Sequence, residues 1–316
     1  MNAPPAVFKI IGRAGFTLIE MSIVLVIIGL IIGGVLVGRD LINAAAIRSQ
    51  ISQIEKYNAA VNTFRGKYGY LPGDMPDPYA TQYGFIGPRD SPSFGCCAGK
   101  GDGNGILQGF RSSLGMINSF QYAGENVVFW VDLSTANLID GGFNTALIQS
   151  SPVAPGGTNN PLFFPRAKIG GGNYIYVSSG GWSWGCAGVS DNINYYGIST
   201  NPIALSNAGL SVWQAQNIDL KIDDGMPQSG RVLAINVING NSDSCWASGN
   251  GFGDHDAGGG PVVAGDGVTT PGTAITCYDN SASASGTPGV SGAAEHYSME
   301  MSYGTGVNCE LSFRFQ

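Results

Sequence analysis

Residues 16–37 read FTLIEMSIVLVIIGLIIGGVLV, and the reading of this run decides the architecture. Its 22 residues hold one charge, Glu20. As a helix they rise about 33 Å at about 1.5 Å per residue, enough for a hydrocarbon core of about 30 Å. A carboxylate in lipid costs on the order of 2.5 to 3.5 kcal/mol at the bilayer centre, so a retained one implies a partner and a role. Glu20 has no cation beside it in sequence. Cleavage after Gly15 would give Phe16 a new α-ammonium four residues upstream, at about the same depth, able to pair with Glu20 of the same helix or a neighbouring one.

A secretory signal also joins a basic leader to an apolar run, but its core is about 7 to 15 residues long and its cut lies after the core. Here the run is longer and the candidate cut lies before it. Lys9 and Arg13 in the leader, Gly15 before the cut, Phe16, the string Thr17-Leu18-Ile19 and Glu20 resemble the class III signal of type IV pilins and type II secretion pseudopilins. The resemblance covers the first tenth of the chain. It implies cleavage and N-methylation of Phe16 by a prepilin peptidase/methyltransferase, and homo- or hetero-oligomeric assembly with other pilins in which Glu20 recognises a neighbour's N-terminus. It further implies an assembly ATPase, a platform protein and a secretin as partners. By the same resemblance the prepilin sits in the inner membrane with a periplasmic head, which then enters a pilus or pseudopilus.

Working outward, residues 1–15 are a leader to be removed. From Leu41 the positions Leu41, Ala44, Ala45, Ile47, Ile51, Ile54, Tyr57, Val61, Phe64 and Tyr68 recur mostly three and four apart, the stripe of an amphipathic helix, with Arg48, Gln53, Glu55, Lys56, Asn62 and Lys67 opposite. No proline interrupts residues 16–68, so one helix is expected, its membrane half at 16–37 and its amphipathic half at 38–68. Pilins commonly carry a proline in the membrane half. This chain has Gly29, Gly33, Gly34 and Gly38 instead, and glycine weakens helix by about 1 kcal/mol per residue relative to alanine. Any melting on assembly is therefore expected at Gly33 and Gly34.

Residues 69–316 change character, with glycine, serine, asparagine and short β-rich runs replacing long periodicities. They are read as one exported, loop-rich head, giving an α+β fold in which the long helix packs on a mainly antiparallel sheet. Helices are expected at Glu125–Ile139, whose apolar positions fall at both helical and strand spacing, and at Ser211–Ile222, capped by Ser211 and closed by Asp223, Asp224 and Gly225. Strands are expected at Asn173–Ser178, Ile193–Ile198, Arg231–Ile238 and Glu310–Phe315.

Six cysteines, Cys96, Cys97, Cys186, Cys245, Cys277 and Cys309, all fall in the head and suit disulfides in an oxidising compartment; six cysteines allow 15 pairings. The C-terminal disulfide common in pilins suggests Cys277 with Cys309. No C-x-x-C pair is present, and His255 and His296 lack ligand spacing to a cysteine. Asp102 and Asn104 in Gly101–Gly105, and Asp254 and Asp256 near three glycines, place oxygens on turn-forming backbone and are the calcium candidates; no other cofactor is indicated. Ordinary turns are the competing reading at both.

Gly181-Trp182-Ser183-Trp184-Gly185 matches G-x-S-x-G, yet Cys186-Ala187-Gly188 follows instead of a helix start, so no hydrolase is inferred. No phosphate-cradling loop is present, so assembly energy must come from another protein. The net charge is −7, and loss of Lys9 and Arg13 leaves 13 basic against 22 acidic residues, or −9. Such a chain gives no general footprint for nucleic acid. Two classes follow: a structural pilin-like subunit, and a minor or tip pilin whose head is an adhesive or cargo-binding module. No enzyme is expected.

Overall fold

The computed structural model describes residues 16–85, 101–107, 124–143, 160–179, 193–200, 208–227, 229–234, 277–279, 296–299 and 302–315. The chain divides into two compact units, residues 1–45 and 46–316. Helix α1 runs Leu18–Tyr68 and ends at Gly69, whose φ of 81° only glycine adopts readily.

In the first unit every described residue from Phe16 to Leu36 is exposed, and α1 is the one helix among the described residues long and apolar enough to cross a membrane. It is unbroken through Gly33 and Gly34, and a Cβ at either would meet nothing within 4 Å, so no packing in the free chain demands glycine there.

In the second unit α1 buries Ile47, Gln50, Gln53, Ile54, Tyr57, Ala60, Val61 and Phe64. The three-and-four stripe is therefore real from Ile47 onward, whereas Leu41 and Ala45, expected in it, are exposed; a polar-face residue also needs correcting. Gln53, assigned above to the polar face, is buried with Gln50, because their amides replace water's hydrogen bonds with backbone ones. Gln53 Oε1 accepts from the Lys168 amide at 2.8 Å, its Nε2 donates to the Arg166 carbonyl at 2.9 Å, and Gln50 Oε1 accepts from the Ile169 amide at 3.0 Å. A hydrophobicity pattern has no way to register polar side chains buried by such pairing.

The central sheet has the antiparallel order β1-β2-β8-β4, from β1 (Tyr174–Ser179), β2 (Asn194–Ser199), β8 (Leu311–Arg314) and β4 (Val232–Leu233). Two ribbons accompany it: β3 (Leu210–Ser211) with β7 (Val307–Cys309), and β5 (Tyr278–Asp279) with β6 (His296–Tyr297). Each of the four expected strands is present to within a residue or two where described; the Arg231–Ile238 run forms β4 only, and its residues 235–238 lie outside the described residues. The α+β expectation holds, an antiparallel sheet accompanying the long helix and a few short ones.

Short helices α2 (Tyr79–Gln82) and α4 (Asn160–Phe163) lie in connections. Helix α3 is Glu125–Thr135, four residues shorter than expected. Asn137 takes φ 55°, its amide donates to the Ser134 carbonyl and that of Leu138 to the Leu133 carbonyl, the paired 5→2 and 6→1 bonds of a Schellman stop. Helix α5 (Val212–Ile222) begins at Ser211 with a full capping box, Ser211 Oγ accepting from the Gln214 amide and Gln214 Oε1 from that of Ser211.

The core joins Tyr57 of α1, Phe129 and Trp130 of α3 and Tyr196 of β2, with Tyr57 and Trp130 edge to face at 5.1 Å. Across the β1–β2 pair Tyr176 faces Gly197, and a Cβ at Gly197 would sit 1.9 Å from the Tyr176 ring. Gly197→Ala is expected to cost about 3 kcal/mol of stability by overpacking, read as an earlier denaturant midpoint of the detergent-held chain.

Candidate functional site

At the start of α1, Thr17 is the residue before the first helical turn and Glu20 the third within it. Glu20 Oε2 accepts from the Thr17 amide at 2.8 Å and from Thr17 Oγ1 at 2.7 Å, while the Glu20 amide donates to Thr17 Oγ1 at 3.3 Å. This is a capping box, two orphan amides satisfied reciprocally at a terminus that lipid would leave without water. Glu20 thus has a local function that the reading of an isolated charge missed, although the T-x-x-E signature of Thr17 and Glu20 stands in the sequence. Both bonds fall on Oε2, which leaves Oε1 for a cation outside the helix. Phe16 is 78% exposed, and Gly15 lies outside the described residues.

The second site is in the head, where three acids are buried: Asp74 and Glu125 are each 1% exposed and Asp132 is 2% exposed. Asp74 follows the Leu71-Pro72-Gly73 turn after α1, and Glu125 and Asp132 lie on α3. The loop Gly101–Leu107 folds over them. Gly101, Gly103 and Gly105 all have positive φ, and their amides donate to Glu125 Oε1 at 2.8 Å, Asp74 Oδ1 at 2.9 Å and Asp74 Oδ2 at 2.7 Å. Alternating glycines turn successive amides to one side, forming a nest for carboxylates. Asn194 of β2 closes the loop, accepting from the Leu107 amide and donating to the Gly105 carbonyl, both at 2.8 Å.

The calcium candidates divide. Asp102 brings a carboxylate oxygen into a group with Asp74 and Glu125, the three lying within 4.8 Å of one another, and these oxygens are the ones here that could hold a cation. Asn104 is used otherwise, its Oδ1 accepting from the Ile106 amide and its Nδ2 donating to Asp102 Oδ2. Asp254 and Asp256 lie outside the described residues, as do His255, the Gly181–Gly185 motif and Cys96, Cys97, Cys186 and Cys245. Cys277 and Cys309 are joined by a disulfide with a Cα–Cα distance of 5.0 Å. A further acidic group, Asp219, Asp223 and Asp224 at the end of α5, is satisfied by the Tyr297 hydroxyl and by the amides of Gly225, Val232 and Met226.

Burial pushes the carboxyl of Asp74 up to about 6, despite the Gly105 and Gly103 amides, and that of Asp132 up to about 7. Asp132 accepts only the Gly73 amide, at 2.7 Å on Oδ2, and its Oδ1 has no partner. A raised folded value means that the folded chain holds protons the unfolded chain releases, so this stability is complete below about pH 4 and is lost as pH rises towards 7. Asp132→Asn keeps the acceptor for Gly73 and removes the charge while burying an unpaired amide. It is expected to gain about 3 kcal/mol at pH 8, with the difference from wild type shrinking towards pH 4, in urea titrations across that range.

Among the described residues neither site brings a nucleophile to a base, and the two do different work: the first exposes an apolar helix with one poised carboxylate, the second locks a loop. No curated protein and no solved structure matches the chain. Residues 12–36 match the family model of the prokaryotic N-terminal methylation motif, which spans the basic leader residue Arg13, Gly15, Phe16, the capped Glu20 and the exposed apolar helix. This chain therefore carries the N-terminal methylation motif that is the prepilin signal of type IV pilins and pseudopilins.

Proposed function

We propose that the protein is a pilin-like structural subunit, cleaved after Gly15, N-methylated at Phe16 and assembled through its N-terminal helix into a type IV pilus or type II secretion pseudopilus. The observation that carries this reading is the methylation motif at residues 12–36, seated where the exposed apolar stretch of α1 begins. The mechanism is packing of apolar helices, with a neighbour's Phe16 ammonium meeting the Oε1 that the capping box leaves open on Glu20. An assembly ATPase, a platform protein and a secretin of the same system would drive and guide it. Before assembly the apolar helix anchors the subunit in the inner membrane with the head on the periplasmic side. Co-expression with a prepilin peptidase is expected to lower the intact mass by that of residues 1–15, and Gly15→Val to keep the full-length mass. Unchanged processing of that variant would contradict the assigned cleavage point.

A scarce tip subunit is the second reading. The size of the head, residues 69–316, favours it, since it is larger than the head most major pilins carry.

A further inference from the structure

A groove of about 690 Å³ runs along the head half of α1, closed by the turn at 137–143 and the segment 165–168. This volume falls in the range of about 300 to 1,000 Å³ typical of ligand sites. Three of its lining residues are cations, Lys56 from α1 and Arg166 and Lys168 from the opposite wall, against one acid, Asp140. Among the described residues none of the three is held in an ion pair. That concentration of positive charge stands out in a chain of net charge −7.

The wall is held before any ligand arrives. Buried Gln50 and Gln53 grip the backbone of Arg166, Lys168 and Ile169, so 166–169 cannot swing away from α1 without stranding two buried amides. Arg166 also lies over the Tyr174 ring, 5.4 Å from its centroid, and pairs with Tyr174 through the backbone. A stacked guanidinium keeps its donors aimed and loses little freedom on binding. On the α1 wall, N-terminal to Lys56, lie the exposed residues Ser49 and Ser52.

We propose that this groove binds an acidic polysaccharide, Lys56, Arg166 and Lys168 meeting its carboxylates or phosphates and the serine hydroxyls meeting its sugar hydroxyls. Nucleic acid fits less well. The rings beside the groove, Tyr57 and Phe143, are only 7% and 6% exposed, so bases find no stacking platform. The proposal deepens the tip-subunit reading, but it is tested on unassembled protein, so a failure of filament assembly leaves it untouched.

The test is binding of size-defined oligogalacturonate to the full chain in neutral detergent, with neutral dextran and single-stranded DNA as comparison probes. Oligogalacturonate is expected to bind, weakening several-fold as salt rises from low to physiological strength. Lys56→Gln and Lys168→Gln should each weaken it several-fold, and the double variant more than tenfold, without change in melting temperature because both side chains are exposed. Asp140→Asn should tighten it. Absence of binding, double-variant affinity equal to wild type, or equal binding of dextran would overturn the proposal. So would DNA binding as tightly as oligogalacturonate.

Discussion

Glu20→Ala is expected to leave cleavage after Gly15 and membrane insertion intact while lowering filament incorporation by about a hundredfold. The magnitude follows from stranding one charge in lipid at about 2.5 to 3.5 kcal/mol, each 1.4 kcal/mol being about tenfold in an equilibrium. Alanine alone does not separate two roles, because it also removes the bonds from Thr17 to Glu20 Oε2. Glu20→Gln does. Glutamine serves at the third position of a capping box as glutamate does, but carries no charge for a neighbouring ammonium. If charge pairing drives docking, Gln assembles nearly as poorly as Ala; if Gln assembles normally while Ala fails, the cap is what assembly needs. The readout is the ratio of sheared-filament to membrane-bound subunit, with processing checked by intact mass.

Removal of the Cys277–Cys309 bridge, as Cys277→Ala with Cys309→Ala, is expected to cost the head about 4 kcal/mol. The cysteines are 32 residues apart, and closing a loop of that size restricts the unfolded chain by about that much. The bridge also has a structural reach. Cys309 ends β7 and is separated by Glu310 from β8, an inner strand of the sheet, while Cys277 precedes β5, whose partner β6 carries the Tyr297 hydroxyl that holds buried Asp219 of α5. Without it the β5–β6 ribbon loses its one covalent tie to β7, while the Tyr297 hydroxyl and the core packing of Tyr278 and Tyr297 remain. The melting temperature of the detergent-held chain should fall by about 10 °C. An unchanged melting temperature in the double variant would mean that the ribbon is held by other contacts.

Much of this was legible in sequence for identifiable reasons. The long helix was readable because its periodicity and lack of proline extend over some fifty positions, and α5 because Ser211, Gln214 and Gly225 supply both its start and its stop. Features settled by distant contacts were not. Gln53 reads as a surface residue until the 166–168 backbone meets it. Asp74, Glu125 and Asp132 read as ordinary acids, yet the Gly101–Gly105 amides and Gly73 hold them inside. Helix α3 showed both helical and strand spacing because it is buried on nearly every side, and its stop at Asn137 carries no glycine to announce it. At the N-terminal site the residues were legible and one of their bonds was not: Glu20 was read for its charge, while the pattern shared with Thr17 also encodes a cap.

The central claim is that Phe16 becomes the N-terminus of an assembled subunit. Intact mass and N-terminal sequencing of the protein from sheared surface filaments and from membranes test it most directly. A chain beginning at N-methylated Phe16 is expected in the filament fraction, abundant for a wall subunit and scarce for a tip subunit. A chain still beginning at Met1, or cut well beyond Gly15, would contradict it and leave only a membrane-anchored head.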